Sequence, residues 1–156
     1  MDISNNLKEF FYELKLQNIT ATEIAIKLNI SKKTLSNYIN GDRYLPLEHL
    51  NSLCNMFYVS ADYILGLTDK KQYSNYKYIE NLDKITIGKN LKNFRKEIKV
   101  SQDFLANEID SNKASISKYE NGINLILTFN LYLLAKKYNV SVDYLLGKTD
   151  EPKYLS

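Results

Sequence analysis

Few side chains in this sequence could make or break a bond. The single histidine, His49, has no carboxylate or second histidine at ligand spacing, and the single cysteine, Cys54, has no partner for a disulfide or a thiolate metal site. Cys54 aligns with Ala135 and reads as a small core residue, and His49 as a surface residue. No glycine-rich phosphate loop and no serine, histidine and aspartate grouping occurs. An enzyme, a cofactor and a bound metal are therefore not expected. What remains is hydrogen-bond chemistry on two short polar stretches, KKTLSN at 32–37 and KASISK at 113–118. Lysine can donate to guanine O6 and N7, asparagine can pair bidentately with adenine, and serine or threonine can contact thymine or phosphate. The same composition also describes a plain solvated helix face, so the elements that carry these stretches must decide between the two.

Both stretches lie inside a repeat. Residues 31–69 align with 112–150 without a gap, with 15 identities in 39 positions. The closest match is at the end, VSADYILGLTD at 59–69 against VSVDYLLGKTD at 140–150. A repeat at about half the length of a 156-residue chain favours two small domains. The expected division is 1–69 and 85–150, joined by a linker over 70–84 and followed by a tail over 151–156. Proline and glycine are scarce and no strand-like alternation persists, which predicts an all-α chain. The polar start and the lack of an apolar run near ~20 residues point to a cytoplasmic protein with no membrane contact.

Charge is placed unevenly. The overall balance of +3 divides into 6 basic and 8 acidic side chains over 1–69, against 10 and 7 over 86–150. Binding to a nucleic acid would thus depend on local placement of charge rather than on a broadly basic surface.

Each half divides into five short helices. In the second, Thr86 is the expected N-cap of a helix with Ile87, Leu91 and Phe94 inward. Ser101 caps the next, and Asn112 caps a third that ends at Gly122 in the left-handed region. A fourth covers about 128–138, and Ser141 caps a brief fifth. The first half repeats this plan with one residue missing from its first turn. The linker carries Tyr73, Tyr76 and Tyr78 with Ile79 and Leu82, too aromatic for a flexible tether, and a short helix over 74–82 is expected.

On these residues the second half resembles the Cro/repressor-type, or XRE, helix-turn-helix family. The matching positions are Arg95, Ser101-Gln102, Leu105-Ala106, Ile116-Ser117, Tyr119-Glu120-Asn121-Gly122 and the closing run VSVDYLLG over 140–147. The first half resembles it more loosely. The resemblance implies two tandem five-helix domains, each with a third helix that enters the DNA major groove. By family position Lys32, Lys33 and Asn37 would face bases in the first half, and Lys113, Ala114 and Lys118 in the second. Ser31, Thr34, Ser36, Asn40 and Arg43 would approach phosphates, as would Gln102, Asn112 and Asn121. Ala21 replaces Gln102 in the first half and weakens that contact. The family's paired Arg and Glu fall on Arg95 and Glu120; the first half has Ile39 for the Glu, and Lys15 or Leu14 for the Arg.

The resemblance implies a sequence-specific regulator of transcription, a repressor that occupies promoter DNA. A second departure suggests a protein contact as well. Residues 123–134 contain no charge and nine apolar side chains. Ile123, Leu125, Ile126, Leu127 and Phe129 exceed what one helix face needs, and predict a homodimer interface. The alternative is a protein-interaction module or antitoxin, in which the second domain serves dimerisation or a protein partner.

Overall fold

The structure, a computed structural model, describes residues 3–153, and among them it contains helices and no strand. The first five helices are α1 (Ile3–Leu16), α2 (Ala21–Leu28), α3 (Lys32–Asn40), α4 (Leu47–Phe57) and α5 (Ala61–Ile64). The second five are α6 (Lys84–Glu97), α7 (Gln102–Glu108), α8 (Lys113–Glu120), α9 (Thr128–Tyr138) and α10 (Val142–Leu145). Two tandem helical domains result.

Local chemistry sets most of the boundaries. Thr20, Ser31, Ser60, Ser101, Asn112 and Ser141 each accept a backbone N–H from the first turn of the helix they precede, satisfying a donor that no carbonyl can reach. Gly41 and Gly122 end the turns after α3 and α8 with φ of 81° and 70°, a region that costs a side chain strain. Leucine, isoleucine and tyrosine at helical spacing, among them Leu35 and Tyr38 of α3 and Ile116 and Tyr119 of α8, form one continuous core.

Four local expectations change. Asp83, not Thr86, caps α6: its carboxylate accepts the Ile85 N–H at 3.1 Å and the Thr86 hydroxyl at 2.7 Å. No residue is missing from the first helix, because α1 and α6 both span 14 residues and begin 81 positions apart. The short helix expected over 74–82 does not form. Asn51 and Asn55 of α4 instead donate to the carbonyl of Ile79 at 2.8 and 3.0 Å, which ties the segment to the first domain. His49 is half-buried rather than a free surface residue, with its ring 5.8 Å from that of Tyr38.

The two domains meet through their last helices. Asp62, on α5, accepts the Val142 N–H at 2.7 Å and the Ser141 hydroxyl at 2.6 Å. Asp143, on α10, accepts the N–H groups of Ala61 at 2.9 Å and of Asp62 at 2.8 Å. Asp62 and Asp143 are repeat equivalents, and so are Ala61 and Val142. Each domain therefore places its aspartate on the helix N-terminus of the other, where N–H groups without an intrahelical partner need acceptors. The linker closes over this pair, with the Tyr73 hydroxyl donating to Asp62 and the Tyr76 hydroxyl to Asp143 at 2.6 Å.

Candidate nucleic-acid interface

Each domain exposes one polar helix after a tight turn. On α3, Leu35 and Tyr38 point into the core, while Lys32, Lys33 and Ser36 are exposed and Thr34 and Asn37 half-buried. On α8, Ile116 and Tyr119 are buried, Lys113, Ala114 and Lys118 exposed, and Ser115 and Ser117 half-buried. Neither outward face carries a carboxylate, since Glu120, the one acid on these two helices, is turned inward.

The candidate phosphate contacts occupy the ends and flanks of these faces. Ser31 and Asn112 sit at the two N-caps, where their side-chain oxygens accept from Thr34 and Ser115 at 3.0 and 2.9 Å. Asn40 reaches back to Ser36 at 3.2 Å, and Asn121 to Ser117 at 3.3 Å, the same pair in both halves. Arg43 is exposed in the turn after α3, whose N–H groups close on the Asn37 carbonyl. The turn after α8 closes in the same way on Lys118, with uncharged Asn124 at the position of Arg43.

Behind α8 lies the charge pair. Arg95 donates to Glu120 through Nε at 2.6 Å and Nη2 at 2.9 Å, and through Nη1 to the Val100 carbonyl at 2.9 Å. This bidentate geometry fixes α6 against the C-terminal end of α8. Gly88 allows the approach, since a Cβ there would lie 2.4 Å from the Tyr119 carbonyl oxygen. Gln102 donates to Glu120 at 3.1 Å, so one of its two amide hydrogens is already engaged. In the first domain Leu14 is buried and Lys15 exposed, which identifies Leu14 as the residue replacing Arg95. Ala21 and Ile39, at the positions of Gln102 and Glu120, line a groove of about 440 Å³ in the first domain.

The apolar loop after α8 is divided among three roles. Ile126 belongs to the core, and Leu125 packs against it. Phe129 stacks on Tyr44 of the first domain, with ring centroids 5.4 Å apart and planes at 23°. Ile123 and Leu127 alone of the five remain largely exposed, at 57% and 55%. Tyr44, Glu48, Leu125 and Leu127 line a shared cleft, so the chain segments that follow α3 and α8 face each other.

The groups that hold the domains in this relation, Asp62 and Asp143, are not among the candidate residues named from the sequence. Both are fully buried. Burial, then the neighbouring Asp143 carboxylate, holds the Asp62 carboxyl well above the usual carboxylate range. Burial and the adjacent carboxylates likewise raise Tyr73 and Tyr76, which keeps both phenols protonated as donors. Burial pushes the Cys54 thiol up to about 12, so it is an inert core residue. Lys148 is also fully buried, its Nζ 5.8 Å from the centroid of the Tyr76 ring. One signal could have found this cluster: the longest near-identical stretch of the repeat is the one that meets its own copy.

Comparison with known proteins finds one family in both halves of the chain. The helix-turn-helix family matches twice, at residues 12–64 and 91–145. An uncharacterized HTH-type transcriptional regulator, YobD, of Bacillus subtilis (strain 168) is 39% identical over 55 residues, which are 35% of this chain and 49% of that protein. The similarity thus spans about half the length of the relative. No solved structure matches. No helix among the described residues is long and apolar enough to cross a membrane.

Proposed function

The chain belongs to the helix-turn-helix family, of the XRE type with two tandem domains, and from that premise we propose that it is a sequence-specific regulator of transcription that binds duplex DNA. In this reading α3 and α8 enter the major groove, and the protein represses by occupying promoter DNA. The observation that carries the proposal is the pair of outward faces on α3 and α8, which offer lysine, serine and asparagine donors with no exposed carboxylate among them. Such a face suits base edges and phosphates and repels neither.

Lys32, Lys33 and Asn37 take the base-reading role in the first domain, and Lys113, Ala114 and Lys118 in the second. Ser31, Thr34, Ser36, Asn40, Arg43, Gln102, Asn112 and Asn121 take phosphates. Pairing of two readers is in this reading made within one chain, by the covalent tandem. Ile123 and Leu127, exposed on the second domain, favour the second reading, a protein partner docked there.

The test is selection of duplexes from a random pool, followed by titration of variants on the selected site. Lys32→Ala or Asn37→Ala should each weaken binding by roughly 1–3 kcal/mol and relax the preference at one base position. Arg43→Ala should weaken all sequences evenly and reduce the salt slope by about one unit. If no sequence is enriched, or if the Lys32 and Asn37 changes leave affinity and preference intact, the reading fails.

A further inference from the structure

The contacts between the domains have a property that a simple tandem array lacks. Asp62 bonds to the residue equivalent to Ala61 in the other domain, and Asp143 bonds to Ala61 itself. When residue i of one unit meets residue j of the other, and j of the first meets i of the second, the units are related by a two-fold rotation. Two domains related by translation along the chain would each present a different patch, and the same aspartate could not serve on both sides.

We propose that a single chain reads an imperfect inverted repeat of duplex DNA by itself, α3 on one half-site and α8 on the other. This rests on the DNA-reading role given to α3 and α8 above. Readers related by a two-fold axis fit half-sites related by the two-fold axis of DNA, whereas readers related by translation fit a direct repeat. The axis runs beside both candidate reading helices, because the Tyr44–Phe129 stack joins the segments that leave them. The relation is held by buried hydrogen bonds rather than by a slack tether, so the second contact follows the first without recruitment of another molecule.

The half-sites cannot be identical. Lys32 and Lys113 match, but Lys33 faces Ala114 across the repeat, and Asn37 faces Lys118. Asparagine favours adenine and lysine favours guanine, so the two halves of the repeat diverge at the bases under those positions.

The experiment uses the full chain and the DNA selected from the random pool. The selected half-sites are rebuilt as inverted and direct repeats of equal length, with centres ~10 base pairs apart. Affinity is measured by fluorescence anisotropy, and stoichiometry by analytical ultracentrifugation of the saturated complex. The expected result is one chain per inverted repeat, bound at least tenfold more tightly than the direct repeat. Equal or tighter binding to the direct repeat, two chains on one inverted repeat, or selection of a lone half-site overturns the proposal while leaving DNA reading intact. Selection of no sequence at all overturns the DNA-reading role and the proposal together.

Discussion

Replacing each of the two buried aspartates with asparagine should give unequal results, although the residues occupy equivalent positions. The Asp143 carboxylate accepts three hydrogen bonds, two of them from backbone N–H groups, one on each oxygen. In Asp143→Asn the amide nitrogen must face one of those N–H groups whichever way the side chain is turned. One charge-assisted bond is lost and one buried donor left unmet. About 3–5 kcal/mol of stability should disappear. Asp62 differs because only one of its oxygens faces a backbone N–H, that of Val142. Its other oxygen faces the hydroxyls of Ser141 and Tyr73, which can reverse from donor to acceptor. Asp62→Asn should therefore cost under about 1 kcal/mol. It should also remove a pH dependence. The Asp62 carboxyl titrates above its unfolded value of ~3.9, so the folded state holds a proton that the unfolded chain releases. That contribution is complete below pH ~4 and is lost as pH rises through the folded value. Urea unfolding of both variants and the parent across pH 4.5–8 measures all of this, the parent-minus-variant difference isolating Asp62. Equal destabilisation by the two substitutions, or a difference that does not change with pH, would refute the assignment of the proton to Asp62.

Further outcomes follow from the reading faces and their support. Lys32→Ala with Lys33→Ala should weaken DNA binding more than Lys113→Ala with Lys118→Ala, because Arg43 assists only the first domain; a gel-shift titration in the reverse order would show the second domain to dominate. Asn37→Lys makes the two helices alike at that position, and should move the preference by about tenfold toward a repeat with the same base in both halves. Glu120→Gln should lose about 3 kcal/mol of stability by leaving Arg95 without its charge, seen as a lower unfolding midpoint with little change at the outward face of α8.

The helices were legible in the sequence because each signal was local. Ser31, Ser60, Ser101, Asn112 and Ser141 announce helix starts, and the glycines after α3 and α8 announce their ends. The Arg95–Glu120 pair was legible through the family resemblance, and the structure adds Gln102 to it. What could not be read was how the halves meet. A capping aspartate and an aspartate that caps a helix of the neighbouring domain have the same neighbours in sequence, and only burial separates them. The apolar loop is legible only in part for a related reason: excess apolar residues signal that something covers a surface, but not whether the cover comes from the same chain. Here Tyr44 provides part of it. The tyrosines of the linker suggested a helix by their number, yet Tyr73 and Tyr76 are placed by their hydroxyls, which need carboxylate acceptors more than a helical period.

The clasp between Asp62 and Asp143 bears on how a cell would read the abundance of this protein. Two separate chains that must first find each other fill a site in proportion to the square of their number while most of them are apart, so halving the supply quarters the occupancy of a weakly filled site. If α3 and α8 both read DNA as proposed, the two readers share one polypeptide and do not separate on dilution. Occupancy then falls only in step with supply, and the response to changing copy number is graded rather than steep. Uneven partition at cell division would be passed on to the controlled promoter in proportion, without amplification.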